Sequence, residues 1–227
     1  MLRKIVLAAL VAGFVAGLVV TAVQAVKVWP LIVAAEEFEQ AQHAASPAHA
    51  PDDEAWSPAG GFERIGLTLL FNVIAGFGFA LMLNGFIALR RSLGHAIDPA
   101  RGLSWGVAGF VAFALAPSLG LPPEAPGVAG ADLVHRQLWW GGAALATAGG
   151  LGALVFARGT AWRVAGALLL ISPHVIGAPH LPLDAAEHAG ALPASLAAQY
   201  VSATLVATAV FWAVLGSVSG WMQRRLG

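Results

Sequence analysis

Six apolar runs alternate with polar stretches along the chain, at about 5–26, 65–89, 103–119, 138–156, 162–176 and 200–218. A hydrocarbon layer of about 30 Å takes roughly 20 helical residues to cross. All the runs are near that length except the fifth, which is short and carries a proline near its end. The alternating pattern of half-buried strands is absent, and a chain in lipid must satisfy its backbone hydrogen bonds internally. The pattern therefore predicts an all-α integral membrane protein with six transmembrane helices, forming a single polytopic domain over residues 1–227. The first run follows MLRK as a secretion signal would. Its apolar core is longer than the ~7–15 residues of such a signal, so it reads as a retained span.

Composition sharpens this picture. The 227 residues are 58% hydrophobic and only 11% charged, where a soluble domain carries about 25% charged residues. There is no cysteine, so disulfides and thiolate ligands are excluded, and a metal site has to use imidazole, carboxylate and backbone oxygen. The formal net charge is zero and no basic cluster occurs, so nothing points to nucleic acid. Neither G-x-x-x-x-G-K-[ST], nor H-E-x-x-H, nor G-x-S-x-G is present. The chain thus lacks these nucleotide-hydrolase, zinc-protease and serine-hydrolase signatures, and it reads as something other than an enzyme. The span interiors also lack carboxylates, which removes an obvious proton relay.

Charge sets the orientation. With six spans, one side holds Arg3, Lys4, Arg90, Arg91, Arg101, Arg158, Arg163, Arg224 and Arg225, most of the 12 basic residues. The positive-inside rule makes that side cytoplasmic, with both termini there. Of the 12 acids only Asp98, and of the seven histidines only His95, fall on that side. Two readings of the acidic, histidine-bearing outer face stand. It attracts cations, or acids simply gather where lysine and arginine are excluded.

The first outer loop is the longest, and Pro30 opens a short helix over about 30–43 that puts Glu36, Glu39, Gln40 and His43 on one face. These residues suit a hard or borderline cation, and they equally suit the wet face of an interfacial helix whose Leu31, Ile32 and Phe38 lie on lipid. Asn72 and Asn84, with Gly76 and Gly78, read as helix-packing positions of the second span. Pro117, Pro122, Pro123 and Pro126 carry the chain out of the third, while Trp105, Trp139 and Trp140 sit where interfacial anchors belong. Asp132, His135 and Arg136 precede the fourth span, either as a headgroup-facing cluster or with His135 joining a metal site.

The densest candidate chemistry is SPHVIGAPH, Ser172 to His180. Counted from Arg163, a helical rise puts His174 about 16 Å into the layer and His180 near its outer edge. Pro173 lacks a backbone donor, so a carbonyl one turn earlier is expected to be freed beside the imidazole. An interrupted helix with an ionisable side chain at membrane depth points to a transport or binding site, although a proline-capped helix end facing headgroups has the same sequence. Beyond it, His180, Asp184 and His188 recur every four residues, a spacing that suits a divalent transition ion and equally a solvated loop. Spans three and five also align at an offset of 57, Trp105 on Trp162 and Pro122 on Pro179. That echo raises a tandem repeat of helical hairpins, which would gather the outer loops around one entrance.

These residues resemble a known family. PLIVAAEEFE (30–39), WSPAGGFER (56–64), the T-x3-N and G-x-G of span two, GLSWGVAGF (102–110), APSLGLPPEAPG (116–127), RQLWW (136–140) and PHVIGAP (173–179) are similar to blocks of the CbtA family of predicted cobalt transporter subunits. The resemblance implies a multi-pass protein of the bacterial inner membrane that transports Co2+ beside a small, single-span, histidine-bearing CbtB-like partner. It implies no tightly bound cofactor and assigns no ligand set; its blocks include Glu36, Glu39, His174 and Arg136, while His180, Asp184 and His188 lie at or beyond the edge of the last. The expected metal contacts are His174, His180, Glu36, Glu39, Asp184 and His188, with membrane lipid and a homo-oligomer as further partners. Two other classes stay open: a haem-binding electron-transfer protein held through residues such as His135 and His174, and a scaffold for a channel-forming partner.

Overall fold

The computed structural model describes residues 2–45, 61–94, 99–126, 128–181 and 192–226. The described residues are helical, with no strand among them: α1 (Leu2–Lys27), α2 (Trp29–Ala45), α3 (Phe62–Ser92), α4 (Pro99–Phe110), α5 (Ala116–Ser118), α6 (Leu133–Phe156), α7 (Thr160–Ile176) and α8 (Ala194–Leu226). Between α4 and α5 the backbone widens into a π-helical turn, Val111–Leu115. The helices α1, α3, α6 and α8 are each long and apolar enough to cross a membrane, and α7 is a shorter apolar helix. At 1.5 Å per residue, α7 is about 26 Å long. The helix expected over about 30–43 is present as α2, which begins just after the Val28 amide closes α1 onto the Gln24 carbonyl at 2.8 Å.

The chain forms two compact units. The first comprises Met1–Pro30, His43–Val107 and Val206–Gly227. In it α1 and α3 cross antiparallel at a point where neither has a side chain: a Cβ on Gly76 would stand 2.7 Å from the Gly13 carbonyl oxygen, and Gly17 faces Val73. Toward the end of α1, Asn72 donates to the Thr21 hydroxyl at 2.9 Å and to Gln24 Oε1 at 2.7 Å. The packing role read for Asn72 and Gly76 is thus realised. Gly102 and Gly106 of α4 meet the α8 backbone at Trp212, Gly216 and Gly220. Phe79 of α3 packs on Phe211 and Trp212 of α8.

Asn84 ties the other end of this unit together. Fully buried, it donates to the Ala80 carbonyl and the Ser219 hydroxyl, each at 2.9 Å, and accepts from Gln223 Nε2 at 3.0 Å. Arg91 donates to the Gln223 carbonyl. These contacts make α3 and α8 parallel and α1 antiparallel to α3, so Arg3, Lys4, Arg90, Arg91, Arg101, Arg224 and Arg225 gather at one end of the unit.

The second unit comprises Leu31–Gln42 and Ala108–Leu205. Its centre is the α6–α7 pair, again a glycine crossing: a Cβ on Gly150 would lie 2.7 Å from the Gly166 carbonyl oxygen. The π turn and α5 pack on the first half of α6, where Phe113 tilts against Trp140 with ring centroids 6.2 Å apart. Gly177 ends α7 at a φ of 84°, its amide donating to the Pro173 carbonyl at 3.0 Å.

Spans three and five, aligned in sequence, differ in local backbone. Pro117 follows a π turn, whereas Pro173 lies inside an unbroken α-helix.

Candidate functional site

Trp139 organises the end of the second unit where α5 finishes, α6 starts and α7 finishes. Its six-membered ring fills the space beside Gly120, where a Cβ would stand 2.5 Å from Cη2; Ala178 closes the same space. The imidazole of His174 meets the indole edge-on, with centroids 6.2 Å apart and planes at 70°. His174 is otherwise exposed, while Pro173 beside it is buried. The indole Nε1 is buried and has no hydrogen-bond partner among the described residues.

One turn before Trp139, Arg136 donates to Glu124 Oε2 at 2.5 Å, an ion pair in which each side chain keeps just under a third of its surface exposed. This pair pins the segment after α5 to the start of α6. The neighbouring Asp132 caps that start by accepting from the His135 amide at 3.0 Å, and it lies 2.8 Å from His135 Nδ1. The amide bond is the main reason its carboxyl is held below the ordinary aspartate value, with the His135 side chain adding to it. His135 therefore has a local partner in the described structure.

The residues singled out in the sequence fall as follows. Glu36 and Glu39 lie half-buried on α2, and Glu36 is engaged in a further contact. His180 is exposed in the extended stretch after α7. Asp184 and His188 lie outside the described residues. Among the described residues no three His, Asp or Glu side chains come together as a ligand set.

The expectation that Pro173 frees a carbonyl meets a compensating bond. The Ser172 hydroxyl donates to the Leu169 carbonyl at 3.1 Å, the acceptor that a residue-173 amide would have used, and α7 continues as an α-helix to Ile176. The break occurs at Pro117 instead. Ala116 precedes that proline and has no hydroxyl, and there the backbone shifts register: the Ala116 amide donates to the Val111 carbonyl, five residues back. A π turn of this kind is frequent at functional sites. The signal was present as Ser-Pro at 172–173 against Ala-Pro at 116–117. Two other polar positions gave less warning, because Thr147 and Trp139 read as ordinary span and interface residues. Thr147 is nonetheless 1% exposed, with a hydroxyl that has no partner among the described residues.

No curated protein and no solved structure matches the chain. A family model described as "Probable cobalt transporter subunit (CbtA)" matches residues 2–224, so with its long apolar helices the chain belongs to the CbtA family of probable cobalt transporter subunits.

Proposed function

We propose that this chain is the permease subunit of a Co2+ uptake system in the bacterial inner membrane, with six spans and both termini in the cytoplasm. The family match over residues 2–224 carries the reading. The gathering of basic residues at one end of the first unit supports it, because the positive-inside rule assigns that end to the cytoplasm. In the second unit Arg158 and Arg163 mark the α6–α7 connection as cytoplasmic by the same rule, and Glu124, Asp132, His135, His174 and His180 then belong to its periplasmic end. Hydrated Co2+ collects there on carboxylate and imidazole, which are its usual oxygen and nitrogen donors. His174 is the first inner contact, held by the Trp139 edge and fixed in place by the buried Pro173. Glu36, Glu39, Asp184 and His188 contribute to the same collecting face. Nitrogen and oxygen sites bind Co2+ more weakly than Ni2+ or Cu2+, so selectivity rests on geometry rather than affinity.

The family description as a subunit implies a partner chain, and the small single-span, histidine-bearing CbtB-like protein fits that role. The test is radiolabelled Co2+ uptake in cells lacking other routes, carrying this chain alone, the partner alone, or both. Uptake that needs this chain and falls several-fold with His174→Ala at normal membrane abundance supports the permease. Full uptake by the partner alone refutes it, and uptake equal to wild type in His174→Ala removes that residue from the path.

A further inference from the structure

Among the described residues, two polar groups on buried positions of the second unit stand out, one whose own helix gives it no donor and one side chain without a partner. The first is the Ala112 carbonyl, on a residue 2% exposed. In an α-helix its donor would be the Ala116 amide, but that amide donates to Val111. In the π register its donor would be residue 117, which is proline and has no N–H. Neither the α nor the π register therefore supplies this oxygen with a donor. The second is the Thr147 hydroxyl, 1% exposed and unpartnered. In a membrane span such groups cost free energy with no compensating water, and valine would fill the threonine's volume without that cost.

The π turn that carries Ala112 packs on α6, the helix that carries Thr147. Phe113 lies against Trp140, and Gly120 against Trp139, so the α4–α5 segment and α6 run antiparallel. Thr147 follows Trp140 by seven residues and precedes Gly150 by three, so it lies on the buried strip of α6, with Ala143 and Ala144, between the face that meets Phe113 and the face that meets α7. These contacts place Ala112 beside the stretch of α6 that runs from just after Trp140 to Thr147. At the mouth of the seam stands the third unpartnered atom, the buried Nε1 of Trp139. An indole N–H repels a bare cation and donates to water, so it suits a cation that arrives with part of its hydration shell.

We propose that the seam between the π turn and α6 is an oxygen-lined step for a partly hydrated divalent cation, with the Ala112 carbonyl and the Thr147 hydroxyl as successive weak ligands below His174. The inference rests on the cobalt-transport reading and gives it a route inward. Neutral oxygens replace lost waters one at a time, and they bind weakly enough to let the ion leave, as conduction requires. A carboxylate in the same place would hold Co2+ too long. The distorted helix beside Pro117 supplies backbone oxygen at membrane depth, the means by which broken helices of transporters meet cations.

The experiment uses the full chain reconstituted with its partner in vesicles loaded with a Co2+-quenched dye, and compares Thr147→Val, Thr147→Ser and Pro117→Ala. Thr147→Val is expected to slow Co2+ entry at least tenfold while its thermal midpoint stays at or above that of the wild type. Thr147→Ser keeps the oxygen and should restore most of the lost rate, although it packs less well. Pro117→Ala supplies an amide to the π turn and should also slow entry tenfold. A packing role for Thr147 would reverse the order, with serine worse than valine, and would overturn the seam. Entry at the wild-type rate in both Thr147→Val and Pro117→Ala would overturn it too, yet leave the cobalt-permease reading standing. A wild type that admits no Co2+ would overturn both.

Discussion

Replacing Asn84 with leucine tests how much buried amides contribute to holding α3 and α8 together. Leucine keeps the branched, four-heavy-atom outline of asparagine but is larger, so the loss of hydrogen bonding comes together with some overpacking at this fully buried position. Three bonds disappear: those to the Ala80 carbonyl and Ser219 hydroxyl at 2.9 Å, and that from Gln223 Nε2 at 3.0 Å. The bond to Ala80 lies within one helix, so the other two hold the interface. In a water-soluble core each orphaned partner costs about 1–3 kcal/mol. Between membrane helices the measured worth is smaller, averaging about 0.6 and reaching about 1.7 kcal/mol, because helices apart in lipid also find partners. Two interhelical bonds therefore predict a loss of about 1–3 kcal/mol, a five- to roughly 150-fold shift in the folding equilibrium by the relation of about 1.4 kcal/mol per decade. Reversible unfolding of the full chain in mixed detergent measures it. A double-mutant cycle with Ser219→Ala isolates one bond, with an expected coupling of about 0.6–1.7 kcal/mol. Additivity within about 0.3 kcal/mol, or an Asn84→Leu protein as stable as wild type, would refute the proposed lock.

Two further outcomes follow from the same structure. Gly13→Leu puts its Cβ 2.5–2.7 Å from the Gly76–Phe77 backbone, which no rotamer relieves; it should lower stability in the same assay by about 1–3 kcal/mol or more, whereas Gly78→Leu, with nothing within 4 Å of its Cβ, should stay within about 0.5 kcal/mol. Asp132 has a carboxyl pKa lowered chiefly by the His135 amide, so its cap stabilises α6 above the ordinary value of 3.8 and the contribution fades as pH falls through and below it; carboxyl-detected NMR titration should find the midpoint below 3.8, and a midpoint at or above that value would contradict the capped geometry.

Much of this protein is written in the one-dimensional pattern. Apolar runs of bilayer length force helices, because lipid offers the backbone no other partner, and α1, α3, α6 and α8 appear where the runs predict. The amphipathic stretch after Pro30 forms α2, and Asn72 and Gly76 pack helices as small and amide residues do. The resemblance to cobalt transporter subunits was likewise legible in short blocks, and the family match over residues 2–224 agrees with it.

The two prolines show where that reading stops. Both Pro117 and Pro173 lack an amide, and sequence alone predicts a similar break at each. The local neighbour decides otherwise: Ser172 bonds the Leu169 carbonyl and α7 stays regular, whereas Ala116 has no hydroxyl and the backbone shifts into a π turn. Composition and periodicity thus determined a helical, lipid-embedded chain and marked its glycine, proline and histidine positions. Only the tertiary structure decided which polar atoms are left without a partner, among them the Thr147 hydroxyl and Trp139 Nε1. The physical reason is that periodicity depends on a residue and its neighbours one turn away, while the satisfaction of a buried polar atom depends on whichever helix the rest of the chain brings against it.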